Sequence, residues 1–521
     1  MLGIILLAFS TSALAAMITS RSIGRQLLST VDALMKGDMI GEARSSTMHP
    51  LRWRYAKSPG LKLPATAISF QQNRSTFRRL IVVMLGISTL VSVSATVLQL
   101  TLVRSDQGFR LINVVAYGMS FLFPVIPSFG AMLRAPRWKV LCASLLFSAI
   151  FVEPHWFSHF DLTRIGYYIL PFLAQMLAPL LLVAMTLVNG ASRAIAPIIF
   201  LPYFALFLMF AGVLSLPSLF LSIMPDFSLR ALVLLVVWVL AVTFIYWLWR
   251  RRMRLVRITA EVIARAYTKR QLSEFLVIYV LIALYFYLTN AAAATGRAGI
   301  LGLSLLLPLA WIPLGLHVAR IIAPSSARPP TMLVLHVFGD PKQSEGLFDS
   351  VMERWRLTGN TELIVGPDLA LRVIDTDDLV AFLGNRLADR FITSVDQIGP
   401  RVAAVELSPD VDGRHRINKY FCTERSWRAA LDVLVQRCEV VLMDLRGFRC
   451  WNSGCRYELE VLSRVSGKLR VVALTDKATD MKLLQSDTCH SPRDRFLLFD
   501  VSKLDAHTRD GILSCLLAPR A

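Results

Sequence analysis

Apolar runs long enough to cross a bilayer, or nearly so, recur nine times before residue 325. They lie at 2–18, 80–103, 111–133, 140–157, 167–188, 195–224, 231–249, 275–294 and 299–322. About 20 apolar residues in a helix cover the hydrocarbon core of a membrane. Backbone in that core satisfies its own N–H and C=O groups only as a helix or a closed barrel. The runs therefore predict a bundle of transmembrane helices. Composition agrees, since 55% of the 521 residues are hydrophobic and 18% are charged, too apolar for an ordinary soluble chain. The weakest run starts at Val140, with only thirteen residues before Glu153.

The net charge of +20 sits almost wholly in this half. Residues 1–330 hold 30 Lys and Arg against 9 Asp and Glu, whereas residues 331–521 hold 26 against 27. A nucleic-acid footprint needs a basic face on a soluble domain, so nucleic acid is not an expected partner. The basic excess reads as topology instead. If alternate loops face the cytoplasm beginning with 19–79, the inward loops carry 23 Lys and Arg and the outward loops five. By the positive-inside rule this gives nine spans, the N-terminus outside, and the C-terminal part in the cytoplasm of a cell with an inner membrane. It also supports the Val140 run, because deleting that span turns the basic 19–79 loop outward.

Ala13-Leu14-Ala15 has the small-residue character of a signal-peptidase site, but no basic residue precedes the apolar run and basic residues follow it. An uncleaved anchor is expected. Within the 19–79 loop, Leu27, Leu28, Val31, Leu34 and Met35 fall on one helical face, either an amphipathic helix on the inner leaflet or an ordinary loop helix. The span interiors hold almost no ionisable residue, which gives no pointer to a transported substrate. Glu153, His155, His159 and Asp161 gather at one outer edge, and prolines at 124, 127, 171, 179, 197, 202, 217, 308 and 313 fall in the spans. Trp247 and Trp249 beside Arg250–Arg252 read as interfacial anchors.

Ala323–Pro330, rich in Pro, Ser and Ala, reads as a linker. Beyond it, short β-branched runs alternate with helical patterns. Strands are expected at Met332–Phe338, Leu363–Val365, Val402–Leu407, Glu439–Asp444, Leu469–Thr475 and Phe496–Val501. Helices are expected at Ser344–Leu357, Asp377–Phe391, Ser426–Gln436, Cys455–Val465 and Ala506–Leu516. This alternation predicts a parallel sheet covered on both faces. Ligands of such sheets sit beyond the carboxyl ends of the strands. That rule selects Gly339 and Asp340, Gly366-Pro367-Asp368, the segment from Asp444 through Arg446 to Phe448, and Thr475-Asp476. Six of the seven cysteines lie here, without the spacing of a zinc site, and read as reduced thiols of a cytosolic domain.

The hydrophobic strand Val440–Asp444, a loop, and then Cys455-Arg456-Tyr457-Glu458-Leu459 resemble the middle of a TIR domain. There a helix opens with a Cys-x-x-Glu-Leu pattern, matched here by Cys455, Glu458 and Leu459. The resemblance covers about residues 331–475 and points to the TIR-like branch of bacterial conflict and signalling proteins. It implies a flavodoxin-like parallel sheet, a nucleotide ligand and self-association. In the enzymatic members the glutamate of this helix supports cleavage of NAD at the nicotinamide bond, so Glu458 is the implied catalytic residue, with NAD as substrate. Gly339-Asp340-Pro341 stands where the family carries an acidic or Ser-Tyr ending, and about forty residues are inserted before the third helix.

A second resemblance is to receiver domains of two-component signalling. It would make Asp444 a phospho-acceptor, Thr475 the switch hydroxyl and Lys503 the following lysine, but leaves Asp340 alone to supply the acidic pair that holds Mg²⁺. Structural roles compete at each position: a carboxylate near a helix start such as Glu458 is favourable anyway, and Asp444 and Arg446 can simply pair. Asp410-x-Asp412 and Asp375-x-Asp377 have the form of sugar-nucleotide metal motifs but are common in polar turns. The expectation is a multi-pass membrane region at 1–322 and a cytoplasmic α/β domain at 331–521. Glu458 is its catalytic candidate, and Gly339, Asp340, Asp444 and Arg446 are its ligand-binding candidates. A non-enzymatic signalling or scaffold protein and a transporter with a regulatory tail are the alternatives.

Overall fold

The structure, a computed structural model, describes residues 2–36, 54–55, 67–133, 135, 137–151, 198–200, 202–206, 227–268, 274–322, 329–336, 351–365, 376–405, 407–410, 413–465, 469–484, 495–501 and 506–517. The chain forms two compact units. One, helical, comprises Met1–Gln26, Leu80–Ile321 and Ile374–Gly384. The other, built on a sheet, comprises Leu27–Arg79, Ile322–Val373 and Asn385–Ala521.

The helices of the N-terminal region follow the apolar runs. They are α1 (Leu2–Lys36), α2 (Ala67–Leu98, extended by a π turn to Val103), α3 (Leu111–Phe121), α4 (Val125–Met132), α5 (Arg137–Phe151), α6 (Phe227–Arg250), α7 (Arg252–Thr268), α8 (Glu274–Ala298), a 3₁₀ segment Gly299–Ala310, and α9 (Trp311–Ile322). Among the described residues one helix, Arg78–Val103, is long and apolar enough to cross a membrane. Leu111–Phe121, Trp138–Phe147, Leu235–Arg250 and Gly299–Gly315 are shorter apolar helices. The expected single run 111–133 is broken between α3 and α4, at Pro124, which lacks an N–H and disfavours helix in the residue before it. The runs at 167–188 and most of 195–224 lie outside the described residues. The face of Leu27, Val31 and Met35 is not on a separate surface helix: it continues α1 and is buried.

Aromatic side chains and small polar groups knit the helical unit. Phe121 stacks on Tyr287 at 5.5 Å between ring centroids, and Phe123 lies 5.4 Å from Phe286. The Tyr287 hydroxyl donates to the Phe121 carbonyl (3.1 Å), Ser88 and Tyr279 share a hydrogen bond of 2.7 Å, and the Ser92 hydroxyl reaches the Gly118 carbonyl. Such bonds satisfy polar groups without water. Gly302 is required by contact, because a Cβ there would meet the Thr295 backbone nitrogen at 2.3 Å.

Among the described residues the sheet unit has seven parallel strands after residue 330: β2 (Thr331–His336), β3 (Asn360–Val365), β4 (Phe391–Ile392), β5 (Ile417–Cys422), β6 (Val440–Asp444), β7 (Arg470–Thr475) and β8 (Phe496–Asp500). A two-residue strand, β1 (Arg54–Tyr55), adds to one edge, giving the order β1-β8-β7-β6-β2-β3-β5-β4. The five strands β3-β2-β6-β7-β8 have the flavodoxin-like order 2-1-3-4-5. The stretch that is long for that fold supplies β4, the helix α11 (Ile398–Ala403) and β5 beyond β3. Period-2 alternation puts Leu333, Leu335, Val441, Met443, Val471 and Ala473 on one buried face. The helix α12 (Trp427–Arg437) covers it with Ala430, Leu431, Leu434 and Val435.

Two assignments made from sequence are corrected. Val402–Leu407 is not a strand. Ile398 and Val402, four apart, are the buried side of α11, and the strand next to β3 is β5 instead. Its first half carries Asn418 and Lys419 and is only half-buried, so it lacks an apolar signature. The helix expected at Asp377–Phe391 ends early. The helix α10 (Thr376–Leu383) groups with the helical unit, where it packs along α7. Gly384-Asn385 then breaks the pattern, with Asn385 at a φ of 53°, and Phe391–Ile392 pairs with β5.

Arg54 is the register partner of Leu497, which is half-buried. In a full-length chain with the exposed Cys142 and Cys450 changed to serine, cysteines at 54 and 497 are expected to be joined by a short dimaleimide. A pair at 54 and 440, three strands apart and roughly 14 Å away, should not be joined. Failure of the first pair alone to react would refute the β1–β8 pairing.

Candidate functional site

The chain leaves β2 towards β3 on one side and later returns to place β6 on the other. Between β2 and β6 the strand order reverses, and in open α/β sheets ligands lie beyond the carboxyl ends of the strands at such a point. His336, last of β2, is in register with Asp444, last of β6, and Asp444 is in register with Leu474 of β7. Every residue of β6 is buried.

Asp444 is held by Arg446 through two charge-assisted bonds, Nε to Oδ1 at 2.8 Å and Nη2 to Oδ2 at 2.6 Å, and by the Arg446 N–H at 3.2 Å. Both side chains are 8% exposed. The bidentate fork fixes the carboxylate and spends both of its oxygens. The loop after β6 is tied to the loop after β7. The Gly447 N–H, at a φ of 72° that favours glycine, donates to Asp476 at 3.0 Å. The Thr479 hydroxyl lies 3.0 Å from the Leu445 carbonyl and 2.9 Å from Asp476, and the Asp480 N–H donates to the Phe448 carbonyl. Phe448 is fully buried beneath.

The helix α13 (Ser453–Arg464) turns Cys455, Glu458, Leu459 and Leu462 inward, at helical spacing. Cys455 and Glu458 share a hydrogen bond, and burial, more than that bond, moves the glutamate, pushing its carboxyl up to about 8. Burial also pushes the Cys455 thiol up, followed by the charges of Glu458 and Asp444. Among the described residues the Glu458 Oε2 has no hydrogen-bond partner. At neutral pH Glu458 is therefore a neutral carboxylic acid, not the dipole-stabilised carboxylate its place near a helix start suggests.

The sequence-selected residues thus separate into groups. Asp444 and Arg446 form one buried pair. Glu458 stands beside Cys455, on which Asp444 also acts. Gly339 and Asp340, three and four residues after His336, lie outside the described residues, as do Lys503, Asp375 and Asp412. Thr475 donates to the Phe499 carbonyl at 3.1 Å, and Asp410 pairs with Arg416 at 2.8 Å. The six described cysteines are free thiols.

Two features were missed in the sequence. Thr479, which braces the two loops, is signalled by Asp-x-x-Thr, a turn-capping spacing. Glu362 of β3 is 1% exposed. The Cys438 thiol lies 3.8 Å from its carboxylate, and burial pushes the Glu362 carboxyl up against the pull of Arg437. The Tyr420 hydroxyl of neighbouring β5, also pushed up by burial and by Glu362, has no hydrogen-bond partner among the described residues. Comparison with family models, curated proteins and solved structures finds no match to this chain.

Proposed function

We propose that this chain is a multi-pass protein of a bacterial inner membrane whose cytoplasmic sheet unit is a TIR-like, nucleotide-binding signalling or defence module, with NAD as ligand. One observation carries the reading: a buried acid with a free oxygen, Glu458, stands with Cys455 and the Asp444–Arg446 pair by the point where the strand order reverses. Arg446 is the cation at hand for a pyrophosphate, which would take it over from Asp444. The Glu458 carboxyl, neutral at rest, is suited to hydrogen-bonding a ribose hydroxyl. In hydrolysis water adds to the ribose C1′ as the bond to nicotinamide breaks, nicotinamide leaves neutral, and a proton is released. An ionised Glu458 would stabilise the cationic sugar in between.

The topology has separate support. β1 comes from the basic 19–79 loop and pairs with β8, so that loop and the sheet unit share one side of any membrane, as the charge bias requires. The receiver reading is weaker because Arg446 occupies both Asp444 oxygens and Thr475 is committed to a backbone carbonyl. Recruitment of protein partners without catalysis is the competing class.

The test uses the full chain in lipid nanodiscs, both dilute and clustered. NAD is expected to bind and nicotinamide to be released, faster at pH 8.5 than at 6.5 as Glu458 ionises. Glu458→Gln should abolish release while leaving binding within a few-fold. Binding without release by the native chain reduces the module to a sensor. Absence of NAD binding in both forms refutes the proposal.

A further inference from the structure

We infer that the corner between α6 and α7 is a docking surface for the headgroups of anionic phospholipids, an inference that rests on the membrane reading above. α6 leaves Leu235, Val236, Val239, Leu240 and Phe244 exposed along its length and ends in an exposed aromatic belt of Tyr246, Trp247 and Trp249. Three successive arginines stack on that belt: Arg250 over Tyr246 at 5.4 Å, Arg251 over Trp247 at 4.3 Å and Arg252 over Trp249 at 5.0 Å. The faces of these guanidinium groups are taken by the rings. Their edges are the part suited to phosphate oxygens.

α7 continues the pattern. α10 packs along it, and its buried residues Val256, Ala260 and Ala264, spaced by four, show that one edge is covered. The opposite edge carries Arg254, Ile258, Val262 and Arg265, all exposed, with Ile258 at 52% and Val262 at 62%. Within residues 250–265 six arginines stand against one acidic residue, Glu261, which pairs with Arg257 at 2.9 Å, and α10 on the covered edge adds Asp377 and Asp378. The mixture selects the occupant. An acidic peptide or a nucleic acid would answer the arginines but leave the branched aliphatic side chains in water. An anionic lipid supplies phosphate to the arginines and acyl chain to Ile258, Val262 and the α6 flank.

The experiment titrates the purified full chain in detergent with fluorescent phosphatidylglycerol or phosphatidylcholine. Phosphatidylglycerol is expected to bind more tightly, with an advantage that shrinks as salt rises. Arg254→Gln with Arg265→Gln should weaken phosphatidylglycerol binding about 25-fold, at about fivefold per arginine, and leave phosphatidylcholine unchanged. Arg254→Lys with Arg265→Lys should keep most of the preference. Equal affinity of the native chain for the two lipids, an undiminished preference in the glutamine variant, or displacement by millimolar inorganic phosphate would each overturn the inference. If the glutamine variant does not fold, the lipid preference of the native chain and of the lysine variant decides. Alkaline carbonate washing of cell membranes tests the underlying reading separately: release of the native chain refutes membrane integration whatever its lipid preference.

Discussion

Glu458→Gln is expected to stabilise the sheet unit at pH 8 and to destabilise it by about 1–2 kcal/mol at pH 5, where the cost of the buried amide is no longer offset. The folded carboxyl titrates at about 8, whereas an unfolded glutamate titrates near ~4.3. Between those values the folded state keeps a proton that the unfolded state gives up. The stability this lends is complete below about pH 4.3 and drains away as the pH rises towards 8. The difference is on the order of 5 kcal/mol by linkage. Part of it is lost in the variant, because a buried amide brings two donors to a place with one unpartnered oxygen. A net gain of about 2–3 kcal/mol at pH 8 corresponds to roughly 4–12 °C for a unit of this size. The measurement is the melting of the full chain at pH 5 and 8, with hydrogen exchange on β6 and α13 peptides to locate the change. Glu362, another acid pushed up by burial, is present in both proteins, so the difference isolates Glu458. An unchanged pH slope in the variant would show that another group titrates.

Arg446→Ala should act in the opposite direction at neutral pH. It leaves Asp444 buried at the end of β6 with backbone donors but no cation. Removing one partner of a buried pair costs about 3–5 kcal/mol because the remaining charge is uncompensated. Adding Asp444→Asn in the same chain should restore most of the loss, since the amide carries no charge. Protection of β6 and β7 amides in the full chain is the readout. If the single variant is as protected as the native chain, the pair is not what fixes these strand ends.

The central strands were legible because they are buried on both faces. Val440–Asp444 and Arg470–Thr475 are apolar runs of strand length, expected within one residue of where they lie. The same logic failed at the edge of the sheet. β5 is half-exposed at its start, so Asn418 and Lys419 mask it, while Val402 mimics a strand from a short helix. The candidate site was legible as residues and not as chemistry. Asp444, Arg446 and Glu458 follow from strand ends and a helix pattern. Whether a carboxyl is ionised depends on what is packed around it in three dimensions, and no spacing records the burial of Glu458 or of Glu362. The helical character of the N-terminal region was legible from its apolar runs in the same way, whereas the break at Pro124 appears only in the backbone hydrogen bonds.

The pairing of Arg54–Tyr55 with Phe496–Asp500 bears on how the protein is made. A strand edge left open offers its amides to any other extended chain and invites aggregation. Here the cover for that edge is synthesised early and its partner late, with the helices from Ala67–Leu98 to Trp311–Ile322 between them. The N-terminal loop must wait through translation before it finds β8, and a sheet unit produced without that loop carries a bare edge. Closure of the edge therefore waits until the two distant parts of the chain have met, a late step written into the order of the strands.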